Sequence, residues 1–138
     1  MNKIFTGLIL IFSIIFSCKK EDESYIPDVP VNLNIPVNDP RISGLNSKGN
    51  AVTIAGYGYA GLILYRRADD VIVAYDQCST VNPFQKNKVQ VLAGSIVEDK
   101  VSGALFNLED GSPAKAPAVR PLRRYSVSNN GNIISVIN

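Results

Sequence analysis

Sulfur and carboxylate side chains are the groups in this chain whose chemistry could support a reaction or a metal site. The sequence contains two cysteines, Cys18 and Cys78, and no histidine. Histidine is the commonest general base and the commonest nitrogen ligand for metals in proteins. Without it, neither a Ser-His-Asp triad nor a Cys-His catalytic centre can form. No pair of carboxylates and no nucleophile with a neighbouring base replaces it, so we expect the chain not to be an enzyme.

Cys18 lies at the end of an N-terminal segment that is typical of secreted proteins. Lys3 gives this segment a positive start, and a mainly apolar run follows as far as Phe16. The run is too short for a stable transmembrane helix, so it predicts a secretory signal peptide over residues 1–17. An uncleaved anchor helix is one alternative.

The ending Ile15-Phe16-Ser17-Cys18 resembles the lipobox of bacterial lipoproteins, with Phe16 bulkier than the usual residue at its position. The resemblance implies that diacylglycerol is attached to the Cys18 sulfur and that the signal is cleaved before this cysteine. Two or three acyl chains anchor a protein stably, so the membrane is an expected partner through this lipid. A chance cysteine after an ordinary signal peptide is the other alternative.

Charged residues follow the lipid-bearing cysteine in the run Lys19-Lys20-Glu21-Asp22-Glu23. This composition predicts a solvated, flexible tether over residues 18–24. A lysine followed by acids at this place also resembles the surface-export signal of lipoproteins in Bacteroidetes. We therefore expect an exported protein, lipid-anchored in the cell envelope at the outer membrane. Whether it faces the periplasm or the cell surface stays open.

Residues 25–138 alternate short apolar runs with turn residues, which is typical of strands. The prolines between residues 24 and 40 argue against a central strand, yet apolar residues recur at every second position from Val29 to Val37. That combination favours an edge strand or an extended segment laid on the domain. Asn129-Asn130-Gly131 is a strong hairpin signal. No helical periodicity appears after the signal, so the domain is predicted to be all-β, an antiparallel sandwich or small barrel. The predicted strands are 51–55, 61–65, 71–75, 88–92, 95–97, 104–108, 122–127 and 133–137.

The charge balance and the glycine-rich stretch each exclude a class of partner. Fourteen basic and 12 acidic residues leave a net charge of +2, which gives no support for nucleic acid as a partner. The stretch Gly56–Gly61 invites comparison with phosphate-binding loops. Such a loop opens onto a helix N-terminus and no helix is predicted after it, so a hairpin turn is favoured.

Four segments of the chain, taken in order, are similar to pieces of one known kind of domain. They are Val71–Cys78, Ser102–Ser112, Pro117–Leu122 and Arg124–Ile137. They resemble the strand before the first cluster loop, the second cluster loop with its following strand, the covering proline loop and the C-terminal hairpin of Rieske-type domains. The resemblance is in particular to the small Rieske-like lipoproteins of Bacteroidetes, and it implies an antiparallel β-sandwich or small barrel.

Rieske domains hold a [2Fe-2S] cluster with two thiolates on one iron and two imidazoles on the other. The resemblance places Cys78 at the first thiolate, Thr80 at the first histidine, Asp99 at the second thiolate and Ser102 at the second histidine. Three of the four ligands are therefore replaced, and hydroxyl groups are poor iron ligands. We expect no cofactor and no metal. The alternative is an electron-transfer protein that keeps the cluster with altered ligands.

The remaining candidate residues have two interpretations each. Cys78 is either a small buried residue or a reactive thiol that could pair between molecules. The acids Glu98, Asp99, Glu109 and Asp110 are either solvated turn residues or ligands for a hard cation, and Arg120, Arg123 and Arg124 are a salt-bridged surface or a site for an acidic partner. By exclusion, we expect a non-catalytic binding or scaffold protein. Its loops near residues 78–87 and 98–103 would contact another protein, a glycan or a small ligand.

Overall fold

The computed structural model describes residues 25–138, which contain ten strands and two 3₁₀ helices. The predicted signal peptide, Cys18 and the whole predicted tether lie outside the described residues. The 3₁₀ helices span Pro40–Asn46 and Pro83–Gln85. The strands are β1 (Asn32–Pro36), β2 (Ala51–Ile54), β3 (Leu62–Arg66), β4 (Ile72–Asp76), β5 (Gln90–Ala93), β6 (Ile96–Glu98), β7 (Leu105–Asn107), β8 (Pro113–Lys115), β9 (Arg124–Asn129) and β10 (Ile133–Ile137).

The strands form two antiparallel sheets, as the all-β prediction requires. Six strands form one sheet in the order β1-β10-β9-β4-β3-β2, and four form the other in the order β5-β6-β7-β8. Within the described residues, no helix is long and apolar enough to cross a membrane.

Strand β3 lies at the centre of the molecule because both of its faces are apolar. Leu62 and Leu64 face one hydrophobic core, while Ile63 and Tyr65 face a second one. A strand buried on both faces is a nearly continuous hydrophobic run rather than an alternating one. The run LILY in β3 therefore identifies the element that separates the two cores.

The first core is enclosed by the curled six-stranded sheet. Its members come from strands at both edges of that sheet, including Leu33 of β1 and Ile54 of β2. The 3₁₀ helix Pro40–Asn46 adds Ile42 and Leu45, which lie three residues apart and so share one face.

The second core lies between the two sheets. Val73 and Tyr75 of β4 pack there with Val97 of β6 and Phe106 of β7. This contact fixes the small sheet on the large one, and thereby fixes the loops that leave both.

The predicted edge strand is confirmed as β1, which pairs with β10 only, from Asn32 opposite Ile137 to Pro36 opposite Ile133. The hairpin predicted at Asn129-Asn130-Gly131 joins β9 to β10, where Asn130 Oδ1 accepts bonds from two backbone amides of the turn. The other predicted strands are all present, with ends displaced by one or two residues.

Three elements differ from the sequence-based expectation, and one of them is the short 3₁₀ helix Pro83–Gln85. The 3₁₀ helix Pro40–Asn46 was not predicted, because two buried residues three apart are too short a pattern to signal a helix. Its start is stabilised by Asp39, whose carboxylate accepts a bond of 2.9 Å from the Arg41 amide. Strand β8 was predicted as part of a turn, because it starts with Pro113. A proline is tolerated there since β8 is the outer strand of its sheet and pairs with β7 only.

The second core makes a direct test of the packing between the sheets. Phe106 is fully buried in it, whereas Leu92 in β5 is 55% exposed. We expect Phe106→Ala to lower the free energy of unfolding by about 3–5 kcal/mol, because it leaves a cavity between the sheets. Leu92→Ala is the matched control and should change it by less than about 0.5 kcal/mol. Urea unfolding measures both, and equal losses would show that the sheets do not share a core at Phe106.

Candidate functional site

Three loops meet at one end of the domain, and we call them the tip loops: residues 78–88 after β4, residues 99–104 after β6, and residues 116–121 between β8 and β9. Hydrogen bonds join them. The Thr80 hydroxyl donates to the Arg120 carbonyl at 2.8 Å, which ties the first loop to the third. The Ser79 hydroxyl bonds the Asp99 carboxylate, which ties the first loop to the second. The structure thus brings together the loops that carry the four positions predicted from the Rieske resemblance.

Asp99 is the centre of the second tip loop and is fully buried. Its carboxylate accepts a bond of 2.7 Å from the Ser102 hydroxyl and one of 3.0 Å from the Val101 amide. Burial would raise the pKa of Asp99, but the hydrogen bonds from Ser102, Ser79 and the loop amides outweigh it and lower the pKa below the ordinary value. The carboxylate is therefore ionised at neutral pH, and its charge is stabilised by loop donors rather than by a cation.

Cys78 lies at the base of the first tip loop and is fully buried. Its thiol approaches the Ser79 carbonyl at 3.3 Å and the Pro83 carbonyl at 3.5 Å. Burial, together with the negative charges of Asp76 and Asp99, raises the pKa of Cys78 to about 12. Since the thiolate is the form that attacks electrophiles and binds metals, this environment favours the interpretation of Cys78 as an inert buried residue.

Asp76, at the end of β4, organises the base of the site although it was not singled out from the sequence. Its buried carboxylate accepts bonds from the backbone amides of Tyr59, Ala60 and Cys78, at 2.5, 3.1 and 2.9 Å. The Tyr125 hydroxyl donates a fourth bond at 2.7 Å. One side chain thereby connects the β2–β3 turn, the first tip loop and β9. The sequence gives a weak signal for one of these bonds. An aspartate side chain commonly accepts a hydrogen bond from the backbone amide two residues later, which here is the amide of Cys78.

The glycine-rich stretch Gly56–Gly61 is the β2–β3 hairpin turn, as predicted, and it wraps around the Asp76 carboxylate. Gly58 has a φ of +69°, and a Cβ at this residue would lie 2.6 Å from Asp76 Oδ2. Only glycine accepts this backbone conformation at so close an approach. The turn therefore presents its amides to an internal carboxylate.

Three of the remaining acidic and basic candidates, Glu109, Asp110 and Arg123, form contacts within the domain. Glu109 accepts a bond of 2.6 Å from the Tyr65 hydroxyl, and Asp110 accepts from the Ser112 amide and hydroxyl. Within residues 25–138 there is no group of three or more His, Cys, Asp or Glu side chains that could hold a metal ion. Arg123 forms an ion pair with Asp28. These contacts favour the interpretation of the acidic candidates as turn residues and of the basic candidates as salt-bridged surface residues.

The outer surface of the tip loops is apolar. Phe84, Val101 and Val119 lie one on each loop, and their exposed fractions are 66%, 74% and 80%. Beside them, a pocket of about 740 Å³ is lined by residues 25–28, Phe84, Arg120 and Arg123.

No family model and no curated protein matches this chain. Several solved structures, however, match its fold. A chain of the complex of reduced oxygenase and oxidized ferredoxin in carbazole 1,9a-dioxygenase is 22% identical, with a TM-score of 0.51 over 77% of this chain and 93% of that one. The ferredoxin of carbazole 1,9a-dioxygenase from Nocardioides aromaticivorans IC177 is 21% identical, with a TM-score of 0.50 over 73% of this chain and 95% of its own. Residues 25–138 therefore have a Rieske-like fold.

The residues at the four ligand positions do not fit a Rieske cluster. Such a cluster requires two thiolates and two imidazole nitrogens. Here the one sulfur is a protonated thiol, and the one carboxylate is saturated with hydrogen bonds from its own loops. The hydroxyls of Thr80 and Ser102 both donate to oxygen. These four side chains therefore do not supply the ligands that a redox-active cluster needs.

The carboxylate of Asp99 makes the stability of the tip loops dependent on pH. Because its folded-state pKa lies below the ordinary value of 3.8, its ionised form stabilises the fold above that pH. The contribution is lost as the pH falls through the folded-state pKa. We expect Asp99→Asn to lower the free energy of unfolding by about 1–3 kcal/mol at neutral pH, with the difference shrinking as the pH falls below 3.8.

Urea unfolding from neutral to acid pH measures this difference. Asp69→Asn, in the exposed turn before β4, is the matched control and should change stability by less than about 0.5 kcal/mol. A difference for Asp99→Asn that stays constant into acid solution would contradict the role of its charge.

Proposed function

We propose that this chain is an exported lipoprotein, held to the cell envelope by acyl chains on Cys18. Its Rieske-like domain is a non-catalytic binding module without an iron–sulfur cluster. The observation that carries the proposal is that all four ligand positions are engaged in hydrogen bonds within the loops themselves.

Those hydrogen bonds perform the structural task that a cluster performs in a metal-bearing domain. A metal holds its ligand loops together through bonds to the ion. In this chain, Ser79 and Asp99 connect the first two tip loops, and Thr80 connects the first loop to the third. Buried polar groups that are fully paired in this way keep a loop in place without an ion. The loops therefore keep a defined shape while their ligand chemistry is lost.

The shape that these bonds maintain presents apolar side chains to solvent. Exposed large hydrophobic residues gathered in one region commonly mark an interaction site. Phe84, Val101 and Val119 lie on three loops that are connected by hydrogen bonds. This arrangement supports a contact surface at the tip. The absence of histidine from the whole sequence supports a binding role over catalysis.

Electron transfer is the second candidate function, because the solved structures with this fold include ferredoxins. It requires a cluster that survives with one thiol, one carboxylate and two hydroxyls as ligands. Such a donor set lacks the soft sulfur and nitrogen ligands that iron–sulfur clusters use.

An iron and sulfide assay separates the two functions. We expect the full chain, expressed in a host that assembles iron–sulfur clusters, to contain no stoichiometric iron or acid-labile sulfide. We also expect no visible absorption band. A histidine-ligated Rieske ferredoxin purified in parallel is the control for cluster loss during handling. Stoichiometric iron and sulfide in this protein would refute the cluster-free proposal and restore electron transfer.

The anchor is tested by Cys18→Ser. We expect this variant to lose labelling by radioactive palmitate and to keep residues 1–17 uncleaved, because cleavage before position 18 follows acylation of the cysteine sulfur. Cys78→Ser is the matched control, since it removes the other sulfur and should keep the label. Palmitate labelling that persists in Cys18→Ser would contradict the proposal. Protease treatment of intact cells then distinguishes a surface-exposed domain, which is cleaved, from a periplasmic one.

A further inference from the structure

The chain enters the domain beside the tip loops. Tyr25, the first described residue, lines the same pocket as Phe84 and Arg120 of the tip loops. Arg123 holds this entry segment in place, because its guanidinium donates to the Ile26 carbonyl at 3.2 Å and pairs with Asp28. Ile26 itself is buried. The tether therefore leaves the domain at the tip and not at the opposite end.

The length of the tether limits how far the tip can lie from the lipid. Seven residue steps separate Cys18 from Tyr25. A fully extended chain of that length spans at most about 25 Å, and a flexible one averages about 15 Å. A domain of this size has a radius of gyration of about 13 Å, and so is about 35 Å across. The tether is shorter than the domain is wide, so the end where it joins the domain faces the bilayer.

The surface of that end has the chemistry of a membrane-contacting patch. Tyr25 is 54% exposed and lines one pocket with the exposed Phe84, and Val119 is exposed on the third tip loop. The tip loops also carry the cationic side chains Lys86, Lys88, Lys100 and Arg120. Their one acid, Asp99, is fully buried. The exposed acid of the same pocket, Asp28, is paired with Arg123. Apolar side chains together with cations favour the boundary between anionic headgroups and acyl chains.

We infer that the tip loops and Tyr25 rest on the membrane, with Phe84 and Val119 in the interface and the lysines on anionic headgroups. This inference rests on the proposed lipid at Cys18, and it names the bilayer as the partner of the tip surface. The acyl chains retain the protein, while the tip contact sets its orientation.

The absence of tryptophan from the sequence provides a clean probe of this contact. The lipidated Phe84→Trp protein is reconstituted in vesicles of phosphatidylcholine and phosphatidylglycerol, with or without bromine on the acyl chains. We expect the indole at position 84 to emit at shorter wavelength than in detergent-free solution, and brominated chains to quench it several-fold. Phe84 is exposed, so this variant keeps the fold.

Ile133→Trp is the matched control. Ile133 is also exposed, but it lies at the β9–β10 hairpin, at the far end of β9 from Arg123 and the tip. Its indole should be neither shifted nor quenched. Equal quenching at both positions would overturn the proposed orientation.

The charge contribution is measured with residues 19–138, expressed without the signal segment and Cys18, a form that lacks the lipid and binds vesicles only through its surface. Removing one cation from an anionic membrane contact weakens binding about fivefold. We expect this loss for Lys100→Gln on vesicles that contain phosphatidylglycerol. Lys48→Gln is the control, because Lys48 pairs with Asp70 at the other end of β3, and it should leave binding unchanged.

The outcomes separate this inference from the proposed function. Mass spectrometry that finds no acyl group on Cys18 refutes the lipid anchor. An acylated, vesicle-bound protein whose indole at position 84 stays in water refutes the membrane contact alone, and assigns the apolar tip to a protein partner. Equal effects of Lys100→Gln and Lys48→Gln would also refute the membrane contact.

Discussion

A buried carboxylate has to be paired with hydrogen-bond donors. Two buried carboxylates determine the shape of the end of this domain that carries the tip loops. Asp76 and Asp99 are both fully buried. Between them they accept bonds from the β2–β3 turn, from two of the three tip loops and from β9. Because the cost of an unpaired buried charge is large, these donors cannot move away independently. The loops therefore behave as one unit with the sheet beneath them.

Hydrogen bonds connect the tip loops at the positions where Rieske domains carry their cluster ligands. The Ser79 side chain and the Asp99 carboxylate connect the first loop to the second. The third loop is attached through the Thr80 hydroxyl and the Arg120 carbonyl. Of the four positions, Ser102 and Asp99 bond each other, while Cys78 and Thr80 donate to backbone carbonyls. The polar groups at this end of the domain are thus paired within the domain itself.

The strands were largely predictable from the sequence, while the site was predictable only in part. Alternating apolar residues and the Asn130-Gly131 turn identify β1, β9 and β10, because side-chain direction has a period of two in a strand. The meeting of the tip loops followed from the resemblance to Rieske domains. The role of Asp76 could not be predicted from the sequence, because three of its hydrogen-bond donors lie 16 and 17 residues before it and 49 residues after it. Contacts across such separations leave no local pattern. Strand β8 was missed for a different reason, because it begins with Pro113.

The way the entry segment is held has a mechanical consequence. Ile26 and Val31 are buried, and the Asn138 side chain at the other end of the chain donates to Asp28 and to the Val29 carbonyl. If acyl chains on Cys18 anchor the chain as proposed, tension on the entry segment has to extract Ile26 and Val31 from the core and break the Arg123 contacts before β1 separates from β10. Pulling on the N-terminal side of Tyr25 therefore loads the packed interior of the domain rather than a loose end.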